Sequence, residues 1–367
     1  MNIKNQRLGI LFDYDFSKQH NPPYPHPAFI SYENPLRLKV IYNYFEKIRI
    51  FEDERIIKLA PRIIGKKLLT IAHSQYYIDT VRRLSQFGSG LLSEEVFVVK
   101  DTYLLAKKAI GGVIECIDAV LNNRVDHAFA LVRPPGHHAM REKGAGLCIF
   151  NNIAASLLNL KKNGYDKKIA IIDIDDHFGD GIAQYFYEDP DVLYFSVHEF
   201  DFLEGDIGFI TETGAKRGKG TTINFPIPMN TTDDNFLEFM DILNPVLREF
   251  RPELIIIAVG VDMYFADQIG NCLLTSKSYY DFTCKMKEIA EDLCDGRLVF
   301  VLEGGYNLIG LPICVYSIIR ALLKEEYISH DFEHLDFSKF RSNIELLKIK
   351  EALTGILSEY WTCFENE

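Results

Sequence analysis

Short apolar runs recur along the chain and alternate with longer helical stretches. The strand candidates are LGILFD (8–13), HAFALV (127–132), KIAIIDI (168–174), DVLYFSV (191–197), TTINFPI (221–227), ELIIIAVG (253–260) and RLVFVLE (297–303). Most are continuously apolar and rich in Ile and Val, which is typical of strands buried on both faces of a parallel sheet. Helix candidates lie near 102–122, 151–163, 233–249, 276–294 and 308–325. The alternation predicts one large α/β domain over 1–325, and the charged segment 326–367 is predicted to be a helical appendage packed on it.

Composition narrows the class of protein. Of 367 residues, 47% are hydrophobic, which is enough for a large core, and the net charge of −12 argues against sequence-independent nucleic-acid binding. The seven cysteines are scattered without a CxxC pair, which argues against disulfides and thiolate zinc sites and favours a reducing compartment. No apolar run reaches the ~18 residues that a membrane span needs. We therefore expect a cytoplasmic protein with no membrane or direct nucleic-acid partner; whether it forms a homo-oligomer stays open.

Titratable residues follow several of the predicted strands. His137 and His138 come after HAFALV, His177 after KIAIIDI, His198 after DVLYFSV and Asp262 after ELIIIAVG. Ligands of open parallel sheets bind beyond the carboxyl ends of the strands. One such residue would be an ordinary loop cap or a solvated turn, but so many together predict a functional site at this edge of the sheet.

A D-x-D-x-H run offers donors for a metal ion. Alternation along an extended chain places Asp173, Asp175 and His177 on one side, and Asp262 could complete the set. Two carboxylates and an imidazole suit a divalent cation whose other positions bind water and substrate. The alternative, an Asp-rich strand end that caps the next helix, explains Asp180 but not Asp173 inside a buried strand. The spacing therefore favours a metal site.

Two further motifs have catalytic and purely structural interpretations. His137 and His138 follow the stiff Pro134-Pro135-Gly136 turn, and a histidine near a metal-activated water suits general base work. Taken singly, each histidine is better explained as a solvated loop residue. Tyr306 follows two glycines and could donate a hydrogen bond to a developing oxyanion, although a packed turn tyrosine is the simpler interpretation of GGY alone.

Taken together, the motifs closely resemble the histone deacetylase family, which includes acetylpolyamine amidohydrolases. The resemblance runs in the family's order from the first strand to about residue 325, and it rests on RPPGHHA (133–139), GLCIFNNIA (146–154), DIDDHFGDG (173–181), SVHE (196–199), GVDMYFADQIGNCLLT (260–275) and LEGGYNL (302–308). It implies the arginase–deacetylase fold, with a parallel sheet of about eight strands flanked by helices. It also implies zinc-dependent hydrolysis of an acylated amine, either acetyl-lysine in a protein or a small acetylated amine such as a polyamine.

The resemblance implies a role for each motif residue. The ligands of zinc, or of ferrous iron in its place, would be Asp175, His177 and Asp262. His138 would be the general base, His137 its electrostatic partner and Tyr306 the oxyanion donor. Asp173 and Asp180 would hold the two histidines. A structural potassium ion would bind at Asp173, Asp175, His177, Ser196 and Val197.

Departures from the family pattern concern the substrate tunnel. Phe178 replaces a second histidine, and Leu147 replaces an aromatic tunnel wall, which predicts a wider tunnel or a different acyl chain. The segment FDFLEGDIG (200–208) replaces a glycine-rich loop, so Phe202 or Leu203 is predicted to form the opposite wall. Ile269 stands where polyamine-selective relatives carry a glutamate, which mildly disfavours that subtype.

Two other functions compete with deacetylation. A ureohydrolase of the same fold would hold two manganese ions and needs a second ligand set, whereas the single D-x-D-x-H run fits one metal better. A non-catalytic acyl-lysine binder would keep the pocket without the reaction, and the presence of His138 and Tyr306 argues against it.

Overall fold

The structure is a computed structural model that describes residues 6–22, 32–203, 205–337, 339 and 344–365. The outer bounds of the two predicted regions, residues 1 and 367, lie outside the described residues, as does Glu204 of the 200–208 loop. The described strands are β1 (Leu8–Leu11), β2 (Ile56–Leu59), β3 (Ser89–Leu91), β4 (Phe97–Val99), β5 (His127–Ala130), β6 (Ile169–Asp173), β7 (Val192–Glu199), β8 (Thr222–Ile227), β9 (Leu254–Val259) and β10 (Leu298–Leu302).

Eight strands form one parallel sheet flanked by helices, in the order β2-β1-β5-β10-β9-β6-β7-β8, while β3 and β4 pair as an antiparallel hairpin. The predicted fold class is therefore confirmed. All seven predicted strands belong to the sheet. The pattern missed the β3–β4 hairpin and, within the eight-stranded sheet, β2, whose two central residues are exposed, so that it lacks the continuous apolar run of a buried strand.

The helices are α1 (Leu36–Lys47), α2 (Lys66–Ala72), α3 (Gln75–Phe87), α4 (Thr102–Leu121), α5 (Asn152–Lys162), α6 (Asp180–Phe186), α7 (Asp233–Phe236), α8 (Met240–Phe250), α9 (Ser276–Cys294), α10 (Gly310–Leu322) and α11 (Ile344–Leu357). The single helix predicted over 233–249 is divided into α7, a 3₁₀ turn and α8. Asp233 at the start of α7 accepts hydrogen bonds from Thr275 and Ser278 at the start of α9, and this tertiary contact anchors the first turn separately. Among the described residues, no helix combines the length and the apolar character needed to cross a membrane.

The residues group into two compact units, which are described separately. Unit 1 comprises Met1–Asp166, Gly179–Tyr185 and Val299–Glu303, and unit 2 comprises Lys167–Phe178, Phe186–Leu298 and Gly304–Glu367. In unit 1, β1 pairs in parallel with β2 and β5, and the 20-residue α4 packs against β1 and β5. This packing fixes the start of the loop that follows β5 and carries the two predicted catalytic histidines.

Unit 2 is built around β6, which pairs in parallel with β7 on one side and β9 on the other. Every residue of β6 is buried, which explains why its sequence is apolar without alternation. At its end, Asp173 stands opposite Ser196 of β7 and Ala258 of β9. Within the same unit α11 packs against β8, and Trp361 donates a hydrogen bond to the Gly220 carbonyl. The boundary at residue 325 stays a prediction.

Candidate active site

The predicted metal ligands converge in unit 2. Asp175 and His177 lie in the loop after β6, and Asp262 follows β9. The Nδ1 atom of His177 lies 3.3 Å from Asp175 Oδ1 and 3.6 Å from Asp262 Oδ2. Their donor atoms all lie within 4.8 Å of one another. Residues 87 positions apart in the sequence are therefore brought together by the pairing of β6 with β9.

Burial gives this acidic cluster unusual electrostatics. Asp175 and Asp262 are each 1% exposed, and Asp262 Oδ2 has no hydrogen-bond partner. Burial, joined by the charge of Asp175, raises the pKa of Asp262 to about 6, although His177 opposes the shift. Burial alone would lower the pKa of His177, but its hydrogen bond with Asp175 and the negative charges of Asp175 and Asp262 raise it well above its usual value. A divalent cation would relieve the carboxylate repulsion and give Asp262 Oδ2 a partner.

Two glycines make room for these carboxylates. A Cβ atom at Gly260 would lie 2.2 Å from Asp175 Oδ2, and one at Gly304 would lie 2.1 Å from Asp262 Oδ2. The backbone N–H of Gly304 also donates to Asp175 Oδ2 at 2.8 Å. The unpartnered oxygen, the glycine cradle and the two-carboxylate, one-imidazole donor set fit a divalent metal ion.

The histidine pair lies in unit 1. His138 Nδ1 is 2.9 Å from Asp180 Oδ1 at the start of α6. A carboxylate only accepts, so Nδ1 carries the proton and Nε2 is left as an acceptor. The backbone N–H groups of Gly136 and His137 both donate to Glu303 Oε2, at 2.6 and 3.1 Å. Glu303 therefore fixes the turn that presents the two histidines, as the predicted stiff PPG turn requires.

Tyr306 lies in unit 2 and is 7% exposed. Asp267 Oδ2 accepts the backbone N–H groups of Tyr306 and Asn307, at 2.7 and 2.8 Å. Gly305 has φ +106°, and a Cβ there would lie 2.7 Å from the Val261 Cβ, so the close approach expected of GGY is present. The loop that carries the tyrosine is thus held by a half-buried carboxylate rather than by its own packing alone.

The predicted potassium ligands are adjacent in unit 2. Asp173 and Ser196 are register partners on β6 and β7, and Val197 follows on β7. Asp173 Oδ2 accepts a hydrogen bond from the Tyr194 hydroxyl at 2.9 Å, and Ser196 Oγ lies 2.9 Å from His198 Nδ1. Side-chain and backbone oxygens at such a strand end are the donors that hard cations prefer.

The predicted tunnel residues lie on three separate loops. Leu147 is half-buried and has a positive φ of +66°. Ile269 is half-buried beside Asp267, which accepts its backbone N–H at 3.1 Å. Phe202 and Leu203 are 41% and 98% exposed, so Leu203 contributes almost no buried surface. The tunnel assignment stays a prediction.

Sequence reasoning missed two residues that hold the site's loops. Glu303 and Asp267 lie inside the quoted motifs LEGGYNL and GVDMYFADQIGNCLLT, but neither received a role. An acidic residue beside a glycine-rich turn was the available signal, because such a turn leaves backbone N–H groups that need an acceptor. It also missed a second cluster of donors in unit 2, formed by Asp176, Glu199 and Cys272.

Comparison with known proteins decides the family. The sequence model of the histone deacetylase domain family matches residues 31–322 of this chain. The chain belongs to the histone deacetylase family. The predicted resemblance is thus confirmed, and membership in this deacetylase family makes the chain a hydrolase by class. The family acts on acetylated lysine or amine substrates.

Relatives in the histone deacetylase family cover nearly the whole chain. A probable deacetylase of Archaeoglobus fulgidus is 35% identical over 97% of this chain and 99% of its own length. The histone deacetylase HDA1 of Saccharomyces cerevisiae is 30% identical over 93% of this chain, which spans only 50% of HDA1. The crystal structure of the HDA15 HD domain superposes with a TM-score of 0.84 at 28% identity, covering 98% of each chain.

Proposed function

We propose that this chain is a zinc-dependent deacetylase that hydrolyses the amide of an acylated amine. The observation that carries the proposal is the cluster of Asp175, His177 and Asp262, with its buried unpartnered oxygen, in a chain of the histone deacetylase family. Bound there, zinc or ferrous iron would supply a Lewis acid that polarises the acyl carbonyl and lowers the pKa of a bound water to ~7.

His138 acts as the general base in this proposal. Its Nε2 takes a proton from the attacking water as the new C–O bond forms, and returns it to the amine as the C–N bond breaks. Asp180 supports the role because it accepts a hydrogen bond from Nδ1–H and so fixes the tautomer in which Nε2 is the proton acceptor. His137 is the electrostatic partner of His138, and their ring centroids lie 4.0 Å apart. The products are acetate and the free amine.

Tyr306 donates its hydroxyl to the substrate carbonyl oxygen as negative charge develops there. The role is supported by the loop that Asp267 holds through two backbone N–H groups, because a preorganised donor loses little entropy when the oxyanion forms. Asp173, together with Asp180, would hold the two histidines in place. A potassium ion at Asp173, Asp175, His177, Ser196 and Val197 would fix the loop that carries the zinc ligands.

The substrate is an acyl-lysine peptide or a small acetylated amine. Leu147, Phe202, Leu203 and Ile269 would line the acyl tunnel. All seven cysteines are free, which supports a reducing compartment such as the cytoplasm.

The test measures acetate release by the zinc-loaded protein from an acetyl-lysine peptide and an acetylated polyamine side by side. The proposal predicts turnover of at least one substrate, and the faster one identifies the substrate class. Tyr306→Phe should lose turnover without losing metal. Acetate from neither substrate, or a Tyr306→Phe rate equal to that of the unmodified chain, would contradict it.

A further inference from the structure

A second group of metal-binding side chains lies in unit 2 beside the predicted zinc ligands. It consists of Asp176 in the loop after β6, Glu199 at the end of β7 and Cys272 in the segment before α9. One carboxylate oxygen from each acid and the Cys272 Sγ all lie within 4.8 Å of one another. None of the three side chains belongs to the zinc, potassium or catalytic sets described above.

One oxygen of the Asp176 carboxylate lacks a partner, while the Cys272 thiol lies within hydrogen-bonding reach of the same carboxylate. Asp176 is 3% exposed, and its Oδ1 atom has no hydrogen-bond partner. Neither Asp176 nor Glu199 forms an ion pair with a Lys or Arg in the part of the chain that the structure describes. A buried carboxylate oxygen without a donor destabilises the folded chain, and a bound ligand or ion removes that penalty.

The neighbouring chain positions the two carboxylates. A Cβ at Gly270 would lie 2.2 Å from the Asp262 carbonyl oxygen and 2.9 Å from Asp176 Oδ2, so the close packing beside Asp176 requires glycine. Glu199 is held by Asn271, whose backbone N–H and side-chain amide donate to its two oxygens at 3.0 and 2.9 Å. Each carboxylate oxygen has a second lone pair, so these bonds orient Glu199 without preventing it from binding a cation.

We propose that Asp176, Glu199 and Cys272 bind a second divalent ion of the thiolate-accepting class, such as Zn²⁺. Binding replaces the thiol proton of Cys272, which is released to solvent, and gives Asp176 Oδ1 its missing partner. In a tetrahedral site, Zn–S and Zn–O bonds place the ligand atoms about 3.3–3.6 Å apart. The three donor atoms lie within 4.8 Å of one another here, and rotation of the side chains would bring them to the shorter distance. A thiolate among the donors selects Zn²⁺ over Mg²⁺ and Ca²⁺, which prefer oxygen.

Cobalt distinguishes the two sites, because only this one contains sulfur. Metal-free full-length chain is titrated with Co²⁺. Two quantities are recorded: the number of Co²⁺ equivalents bound, and the near-ultraviolet sulfur-to-cobalt charge-transfer band. We expect two equivalents and a charge-transfer band in the unmodified chain. His177→Ala should lose one equivalent and keep the band, which separates this inference from the proposed deacetylase function.

Variants of the second site complete the test. Cys272→Ser should lose the band and one equivalent, while Cys284→Ser, a half-buried cysteine on α9, should keep both. Glu199→Gln alters a half-buried position and should also lose the second equivalent, so the test does not depend on Cys272→Ser folding well. A single equivalent without the band in the unmodified chain, or a band that survives Cys272→Ser, would overturn the proposal.

Discussion

Two clusters of candidate metal ligands share one short loop, and they differ in how visible they are in the sequence. Asp175 and His177, two positions apart, point to one side of the loop and meet Asp262. Asp176, between them, points to the other side and meets Glu199 and Cys272. The chain bends at residues 175–177, so adjacent aspartates reach different partners. The first cluster repeats a known spacing, whereas the second is assembled only by the fold.

The electrostatics of the two clusters differ as well. The first contains an imidazole that is hydrogen-bonded to Asp175 and close to Asp262, so its net charge is partly balanced before a metal binds. The second has a thiol in place of the imidazole, and Asp176 Oδ1 has no donor. We expect the first to hold the ion that takes part in the reaction and the second to hold an ion that stabilises the loop.

The largest expected effect separates the clusters by function. His177→Ala removes the imidazole of the first cluster, so acetate release should fall to background while the second cluster still binds an ion. Metal analysis and acetate release from the same preparation measure both. Retained turnover in a variant that had lost one metal equivalent would show that the reaction does not depend on the first cluster.

Tyr306→Phe tests the chemistry next to the first cluster without altering its ligands. Removal of one oxyanion donor should lower kcat by about 10²–10³-fold with unchanged metal content. Tyr76→Phe is a matched control, because Tyr76 is 77% exposed on α3 and should have unchanged kinetics. Equal kcat values in the two variants would refute the oxyanion role.

Asp267→Asn tests how firmly the Tyr306 loop must be held. The carboxylate accepts four backbone N–H groups, those of Gln268, Ile269, Tyr306 and Asn307, and an amide can accept at only one of its two atoms. We expect kcat to fall by about 10–100-fold, less than in Tyr306→Phe. Steady-state kinetics measure it, and a kcat equal to that of Tyr76→Phe would show that the loop needs no such support.

A histidine away from both clusters provides an electrostatic reference. His73 is fully buried between the Met140 carbonyl and the Asn151 N–H without a carboxylate, and burial lowers its pKa to about 4. The unfolded chain, with a histidine pKa near ~6.5, binds the proton first as pH falls. Neutral His73 therefore stabilises the folded chain fully above pH ~6.5. This stability is lost progressively as the pH falls from there to about 4.

Urea unfolding at two pH values measures this contribution. Between pH 7 and pH 5 the unmodified chain should lose about 2 kcal/mol more free energy of unfolding than His73→Gln does. Since both proteins keep every other histidine, the difference isolates His73. Identical pH dependences would show that His73 protonates as readily in the folded chain as in the unfolded one.

The sequence predicted the parts of the molecule that are encoded locally. Continuous Ile-rich runs such as β6 are recognisable because both faces are buried, and the ligand spacing of Asp175 and His177 follows from the strand that precedes them. β2 was missed because it is short and half-exposed. Asp267 and Glu303 were missed because the turns that they hold lie far away in sequence: Tyr306 is 39 positions from Asp267, and Gly136 is 167 positions from Glu303.

Cys272 shows what a search for cysteine spacing leaves untested. Scattered cysteines argued against thiolate zinc sites, but that argument detects only pairs of cysteines close in sequence. A single thiol that meets two carboxylates from other loops has no spacing to recognise. Such a site becomes visible only when β6, β7 and β9 are aligned in register.

The central claim is that a metal ion in the first cluster drives amide hydrolysis. The most direct test strips the full chain of metal with a chelator, adds Zn²⁺ back stepwise, and measures acetate release from whichever acetylated substrate is turned over. We predict no release from the metal-free chain, recovery as zinc is added, and no recovery in His177→Ala. Undiminished acetate release from the metal-free chain would contradict the claim.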